Sequence, residues 1–96
     1  MDTIDVKLDE HGRGGVYAME GDDQLGEMEI SVAGNELTVY HTEVFPKAEG
    51  KGLGKKLLAA MADHARKNGL KVIPLCPFVH AQFKRRPEEF DDIWKK

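Results

Sequence analysis

The apolar residues of the first half of the chain recur at every second position. Ile4, Val6 and Leu8 alternate with Thr3, Asp5 and Lys7, the period of a half-buried strand over residues 3–8. His11-Gly12-Arg13-Gly14-Gly15 reads as a turn, and a second strand follows over residues 16–20. Gly21-Asp22-Asp23 turns the chain again. Met28, Ile30 and Val32 then alternate with Glu27, Glu29 and Ser31, a third strand with an acidic outer face. Gly34-Asn35 supplies the positive-φ pair of a two-residue hairpin, and residues 37–44 form the fourth strand.

The period then changes. Leu53, Leu57, Leu58, Met61 and Ala65 fall at helical spacing and predict an amphipathic helix over residues 52–68, closed by Gly69. A short apolar strand follows over residues 70–75. Because a helix separates it from strand four, the two are expected to run parallel through a right-handed crossover. Pro77 suits the first position of a short helix reaching residue 86. Pro87 opens another, with Glu88 and Glu89 in its first turn and Phe90, Ile93 and Trp94 on one side as core cover. The fold class is therefore α/β (α+β). A single mixed sheet of about five strands carries one long helix and two short C-terminal helices.

Ninety-six residues are expected to make one domain, residues 1–96. No apolar run approaches the roughly 18 residues that span a bilayer, and the acidic start lacks the basic-then-apolar order expected of a signal peptide. Cys76 is the single cysteine, so no internal disulfide can form. These features predict a soluble, cytoplasmic, monomeric domain. Charge is divided unevenly. Residues 1–46 hold eleven acids and two bases, a net of -9, whereas residues 47–96 hold six acids and twelve bases, a net of +6. The basic half suits either a solvated face or an anionic ligand.

That half opens with Lys47-Ala48-Glu49-Gly50-Lys51-Gly52-Leu53-Gly54-Lys55-Lys56, between strand four and the long helix. Glycines here allow backbone N–H groups to approach a ligand, and a helix start behind them favours phosphate. It is not a Walker loop, since Gly50 and Gly54 are one residue too close and Lys56 replaces the Ser/Thr. Nor is it a dinucleotide fingerprint, which requires a third glycine where Lys55 and Leu57 stand. His11, His64 and His80 show no ligand spacing with one another or with Cys76, so no metal is predicted.

Lys47-x-x-Gly50-x-Gly52, followed by Gly54 and Leu57-Leu58, resembles the acetyl-CoA signature of the GNAT superfamily of N-acetyltransferases, Gln/Arg-x-x-Gly-x-Gly/Ala. With His41-Thr42-Glu43-Val44, Val72-Ile73-Pro74-Leu75-Cys76-Pro77 and Pro87-Glu88, the chain is most similar to its minimal, YjdJ-like branch. The resemblance implies a compact fold with no helices between strands one and two, hence an open acceptor site. It also implies that strands four and five splay to admit the pantetheine arm. Backbone groups near Glu43, Val44 and Phe45 would pair with that arm. The amides of Gly50, Lys51, Gly52, Leu53, Gly54 and Lys55 would hold the pyrophosphate, with charge from Lys51, Lys55 and Lys56. Two residues depart from the pattern: Lys47 replaces the bidentate Gln or Arg, and Arg86 precedes Pro87 where the branch usually has His.

Three side chains are candidates for the chemistry. His41 could act as general base toward an acceptor amine, though its place in line with Leu37 and Val39 equally suits a structural histidine. Glu43, two residues on, could orient it or act through water. Cys76 precedes a helix start that favours thiolate, and is also the kind of small residue that packs in cores. Gln82 and Phe83 stand where larger relatives place a tyrosine acid, and neither donates a useful proton. Direct transfer to an unidentified amine is expected, with His41 as base and Cys76 assisting the departing thiolate. A non-catalytic acyl-CoA binder or sensor is the alternative. Nucleic-acid binding is disfavoured, because Trp94 is the lone tryptophan and stands beside Asp91 and Asp92.

Overall fold

A computed structural model of the chain describes residues 2–96. Four strands come first: β1 (Asp2–Leu8), β2 (Arg13–Glu20), β3 (Asp23–Ala33) and β4 (Glu36–Val44). A 3-10 turn over Pro46–Ala48 leads to α1 (Leu53–Lys67), then β5 (Lys71–Pro74), α2 (Pro77–Arg85) and α3 (Pro87–Phe90). The sheet order follows the chain, β1-β2-β3-β4-β5, with three antiparallel pairings and a parallel one between β4 and β5. This is the mixed sheet, long helix and two short helices that the residue periods predict.

Two strands start earlier than expected, at Arg13 and Asp23. The β1–β2 turn is consequently confined to a few residues around Glu10 and His11. The Asp9 carboxylate holds it by accepting the N–H groups of His11 (2.8 Å) and Arg13 (3.0 Å), and these bonds keep the Asp9 carboxyl below its usual range.

Cross-strand pairing puts Ile4, Val16, Ala18, Met28, Ile30, Leu37, Val39 and Val72 on one face of the sheet, and there α1 packs. Its apolar stripe of Leu53, Leu57, Met61 and Ala65 is almost fully buried. Each large side chain taken from water there stabilises by about 1.5–3 kcal/mol. Beside α1 the core is closed by Val79 and Phe83 of α2 and by Phe90. Phe83 stacks on Phe90 with ring centroids 4.8 Å apart. Arg66 of α1 ties this end down, donating to Asp92 Oδ2 (2.8 Å) and to the Glu89 carbonyl (2.6 Å).

The last helix is shorter than the sequence pattern predicts. It ends at Phe90, and Ile93 and Trp94 lie beyond it rather than on its side. Ile93 is buried and Trp94 partly so, consistent with core cover. Their backbone serves β5 instead: the Val72 N–H donates to the Ile93 carbonyl (2.6 Å) and the Lys95 N–H to that of Val72 (2.9 Å). No described helix covers the opposite face of the sheet, so Glu29, Tyr40 and His41 are exposed there. The molecule is a slab, 35 × 33 × 19 Å.

Candidate functional site

Two interruptions of the sheet define the site, and both fall on β4. The first is the end of its pairing with β5. The two strands match only from Glu36 with Lys71 to Val39 with Pro74, and the Cys76 N–H then donates to the Val39 carbonyl at 2.9 Å. Pro77 turns the chain into α2 while β4 continues to Val44, so a gap opens between them. The Phe45 N–H donates to the Leu25 carbonyl (2.9 Å), which fixes the alternation along the β3–β4 ladder. Residues 41, 43 and 45 turn their backbone groups toward β3, leaving those of Thr42 and Val44 directed into the gap.

This corrects the expected backbone set. Of the expected positions Val44 faces the gap, and so does Thr42. Phe45 has no backbone group to spare, because its carbonyl also accepts the Ala48 N–H at 2.9 Å. Glu43 points its backbone the other way.

The second interruption is a bulge. His41 pairs with Glu29 but Val39 with Ile30, so Tyr40 is an extra residue in β4. One added residue is half a strand period and exchanges the two faces. His41 therefore does not share the core face of Leu37 and Val39, as simple alternation suggests. It stands on the uncovered face, 62% exposed, with Nε2 3.9 Å from Glu43 Oε1. Thr42 takes the core side, and its Oγ1 lies 3.4 Å from Cys76 Sγ. Cys76 is buried. His41 and Cys76 thus flank β4 from opposite faces, each with its own neighbour. No sequence pattern singles out Thr42; only the bulged register reveals it.

The loop after β4 completes the site. Gly50 and Gly52 hold φ of 85° and 70°, the left-handed region that side chains avoid, and open space lies where their Cβ atoms would be. The N–H groups of residues 50–55 find no backbone acceptor among the described residues, and no side chain caps α1. A helix start in this condition carries partial positive charge. Lys51, Lys55 and Lys56 are exposed around it, without ion-pair partners among the described residues. Lys47 is different: its ammonium is held by Asp23 at 2.5 Å and faces the β2–β3 hairpin. Leu53 buries its side chain and can offer only its amide. Gly54 is small for a packing reason, since a Cβ there would stand 3.3 Å from Phe78 Cζ. That contact brings the starts of α1 and α2 together beside the gap.

Gln82 and Phe83 are both buried in the core under α2. Arg86 accepts no task in the gap either; its guanidinium lies 3.5 Å from Glu89.

A parallel strand pair opened beside an uncapped, glycine-led helix start is the frame of an N-acetyltransferase. The sequence model of the GCN5-related N-acetyl-transferase family matches residues 16–93, and the chain belongs to that family. No curated protein matches it. Among solved structures it is similar to a GCN5-like protein from Staphylococcus aureus, with 32% identity and a TM-score of 0.69 over 97% of this chain and 87% of that one. It also shares its fold with the ribosomal-protein-S18-alanine N-acetyltransferase of Escherichia coli (19% identity, TM-score 0.62, 69% of this chain). The PaiA N-acetyltransferase of Thermoplasma acidophilum, solved with coenzyme A, is a further match (16%, 0.60, 81%). The chain spans 43% and 50% of the length of those two proteins.

Proposed function

We propose that the chain transfers the acetyl group of acetyl-CoA directly to an amine. The observation that carries this reading is the position of the gap. Thr42 meets Cys76, and Phe78, two residues on, stands against Gly54, so the end of the β4–β5 pairing and the start of α1 with its unpaired amides share one side of the molecule. The donor set fits the cofactor. Its diphosphate suits the amides and the charge of Lys51, Lys55 and Lys56, and its extended amide arm suits a strand edge with free N–H and C=O groups. When bound, acetyl-CoA supplies an acetyl group already activated as a thioester.

The residues of the chain supply the rest. His41 takes the proton of an acceptor ammonium on the uncovered face, and Glu43 stabilises the imidazolium that results. Thr42 Oγ1 and Cys76 Sγ stand together on the core side of β4, where its pairing with β5 ends, and the hydrogen not shared between them meets the leaving sulfur. The amine nitrogen forms its bond to the acetyl carbon as the carbon–sulfur bond breaks, and the second proton of that nitrogen passes to the departing thiolate. Direct transfer suits this division better than a relay through Cys76, which is buried and has the Thr42 hydroxyl rather than a base beside it. Only a tight turn joins β1 to β2, which supports an open acceptor side, as the resemblance to the small YjdJ-like branch implies.

Intact mass spectrometry after mixing with acetyl-CoA and no amine tests the route. The mass is expected to stay unchanged, with thiol release only after an amine is added. A rapid acetyl adduct on Cys76 that the amine discharges would overturn direct transfer. Binding of acetyl-CoA without turnover of any amine would leave an acyl-CoA-binding domain.

A further inference from the structure

The uncovered face of the sheet is not flat. A depression of about 250 Å³ lies there, lined by Arg13, Gly14, Glu29, Ile30, Ser31 and Tyr40. Its wall is the bulge residue Tyr40, whose hydroxyl lies 2.7 Å from Ser31 Oγ. The residue after Tyr40 is His41, and His41 pairs across the ladder with Glu29. The bulge therefore joins the depression to the proposed base, on the side of β4 opposite Cys76.

The charges around this depression are of both signs. Glu29 and Arg13 are exposed, and neither forms an ion pair among the described residues. Toward the gap the negative side continues, because Glu27 and Glu43 pair directly across β3 and β4. Like charges placed opposite one another destabilise a sheet, and a bound cation relieves them. Arg13 pairs with Ser31, two residues along β3 from Glu29, so Arg13 and Glu29 are diagonal neighbours about 7–8 Å apart at the backbone. In an extended peptide, two residues rise by about 7 Å. The backbone positions that carry the Glu29 carboxylate and the Arg13 guanidinium are therefore about one dipeptide apart. An amine carrying only positive charge meets Arg13 as a like charge.

We propose that this depression is the acceptor subsite and that it takes the α-amine of a polypeptide. Glu29 holds the ammonium beside His41, while Arg13 and the Tyr40 hydroxyl donate to the peptide carbonyls that follow. The assignment rests on the acetyl-transfer reading above, and it names the class of amine.

Titration of the protein without acetyl-CoA, followed by NMR, tests the subsite independently of turnover. Trialanine amide is expected to shift the backbone resonances of Arg13, Glu29, Tyr40 and His41, and to do so at lower concentration than propylamine or spermidine. In turnover, Glu29→Gln is expected to raise KM for trialanine amide by roughly tenfold or more, as for a lost hydrogen bond to a charged group. Acetyl-CoA affinity, read by calorimetry, is expected to stay constant. Arg13→Ala should raise the ratio of KM for trialanine amide to that for propylamine. The subsite is overturned if no resonance on this face moves, if Glu29→Gln leaves KM as it was, or if spermidine is preferred by wild type. Peptide-induced shifts at these residues in a protein that turns over no amine would instead sink the transfer reading and leave the depression as a peptide-binding site without an acceptor role.

Discussion

Replacing Gly52 by Val separates the two things that residue does. Gly52 sits at the N-cap of α1 with φ of 70° and nothing within 4 Å of the point where a Cβ would stand. A Cβ there meets no protein atom beyond its chain neighbours, so the main cost to folding is conformational. A branched side chain in the left-handed region costs at least about 1–2 kcal/mol. In a domain of this size that lowers Tm by roughly 4–16 °C. Its cost to binding arises separately, because the isopropyl group fills the space through which a phosphate approaches the amides of residues 50–55. Losing one charge-assisted hydrogen bond is worth about 1.5–3 kcal/mol, a roughly 10- to 150-fold rise in Kd for acetyl-CoA. Calorimetry with acetyl-CoA measures that rise, and a thermal melt without ligand confirms the fold. Lys67→Ala is the control. Its ammonium pairs with Asp63 (3.1 Å) on an exposed helix face and is expected to leave the affinity unchanged. A folded Gly52→Val protein with wild-type affinity would refute the assignment of the loop.

Three further outcomes are expected. His41→Ala should lower kcat by about 10²–10⁴-fold with little change in acetyl-CoA affinity, whereas Cys76→Ala should retain measurable turnover; stopped-flow and steady-state assays separate them. Phe83→Ala removes a fully buried ring stacked on Phe90 and should cost about 3–5 kcal/mol in urea denaturation. Asp92→Asn should destabilise by less than about 1 kcal/mol at neutral pH, because the pair with Arg66 is largely exposed. The Arg66 guanidinium lowers the Asp92 pKa from 3.8, so the contribution is complete above that value and lost as pH falls through the lowered one. The gap between the two melting curves should accordingly close below pH 3.8.

Much of the architecture is written in local periods. The leucines of α1 and the alternation of Ile4, Val6 and Leu8 report burial directly, and Gly34-Asn35 marks its turn. The site is less legible because it depends on where periods fail. Nothing local at Tyr40 announces an extra residue, as its backbone needs neither glycine nor proline. Counting by twos from Leu37 therefore carries His41 to the wrong face and hides Thr42. The partner of Lys47 was equally out of reach, since Asp23 meets it through tertiary folding. The length of α3 was overestimated for a related reason: Phe90, Ile93 and Trp94 fit a helical face, but pairing with β5 draws the last two away. By contrast, the early end of the β4–β5 pairing agrees with strands expected to diverge, and Gly50 and Gly52 leave the loop before α1 open.

Because one face of the sheet is bare, each strand has two separable duties. In β3, Met28 and Ile30 hold the core, while Glu27, Glu29 and Ser31 lie on the other face, Glu29 exposed and its two neighbours half-buried. Exposed substitutions away from special features usually change stability by no more than about 0.5 kcal/mol. Sequence on the outer face can thus drift over generations while the inner face keeps the chain folded. Directed libraries confined to Glu27 and Glu29 should remain largely folded, and under the acceptor proposal they sample different amines.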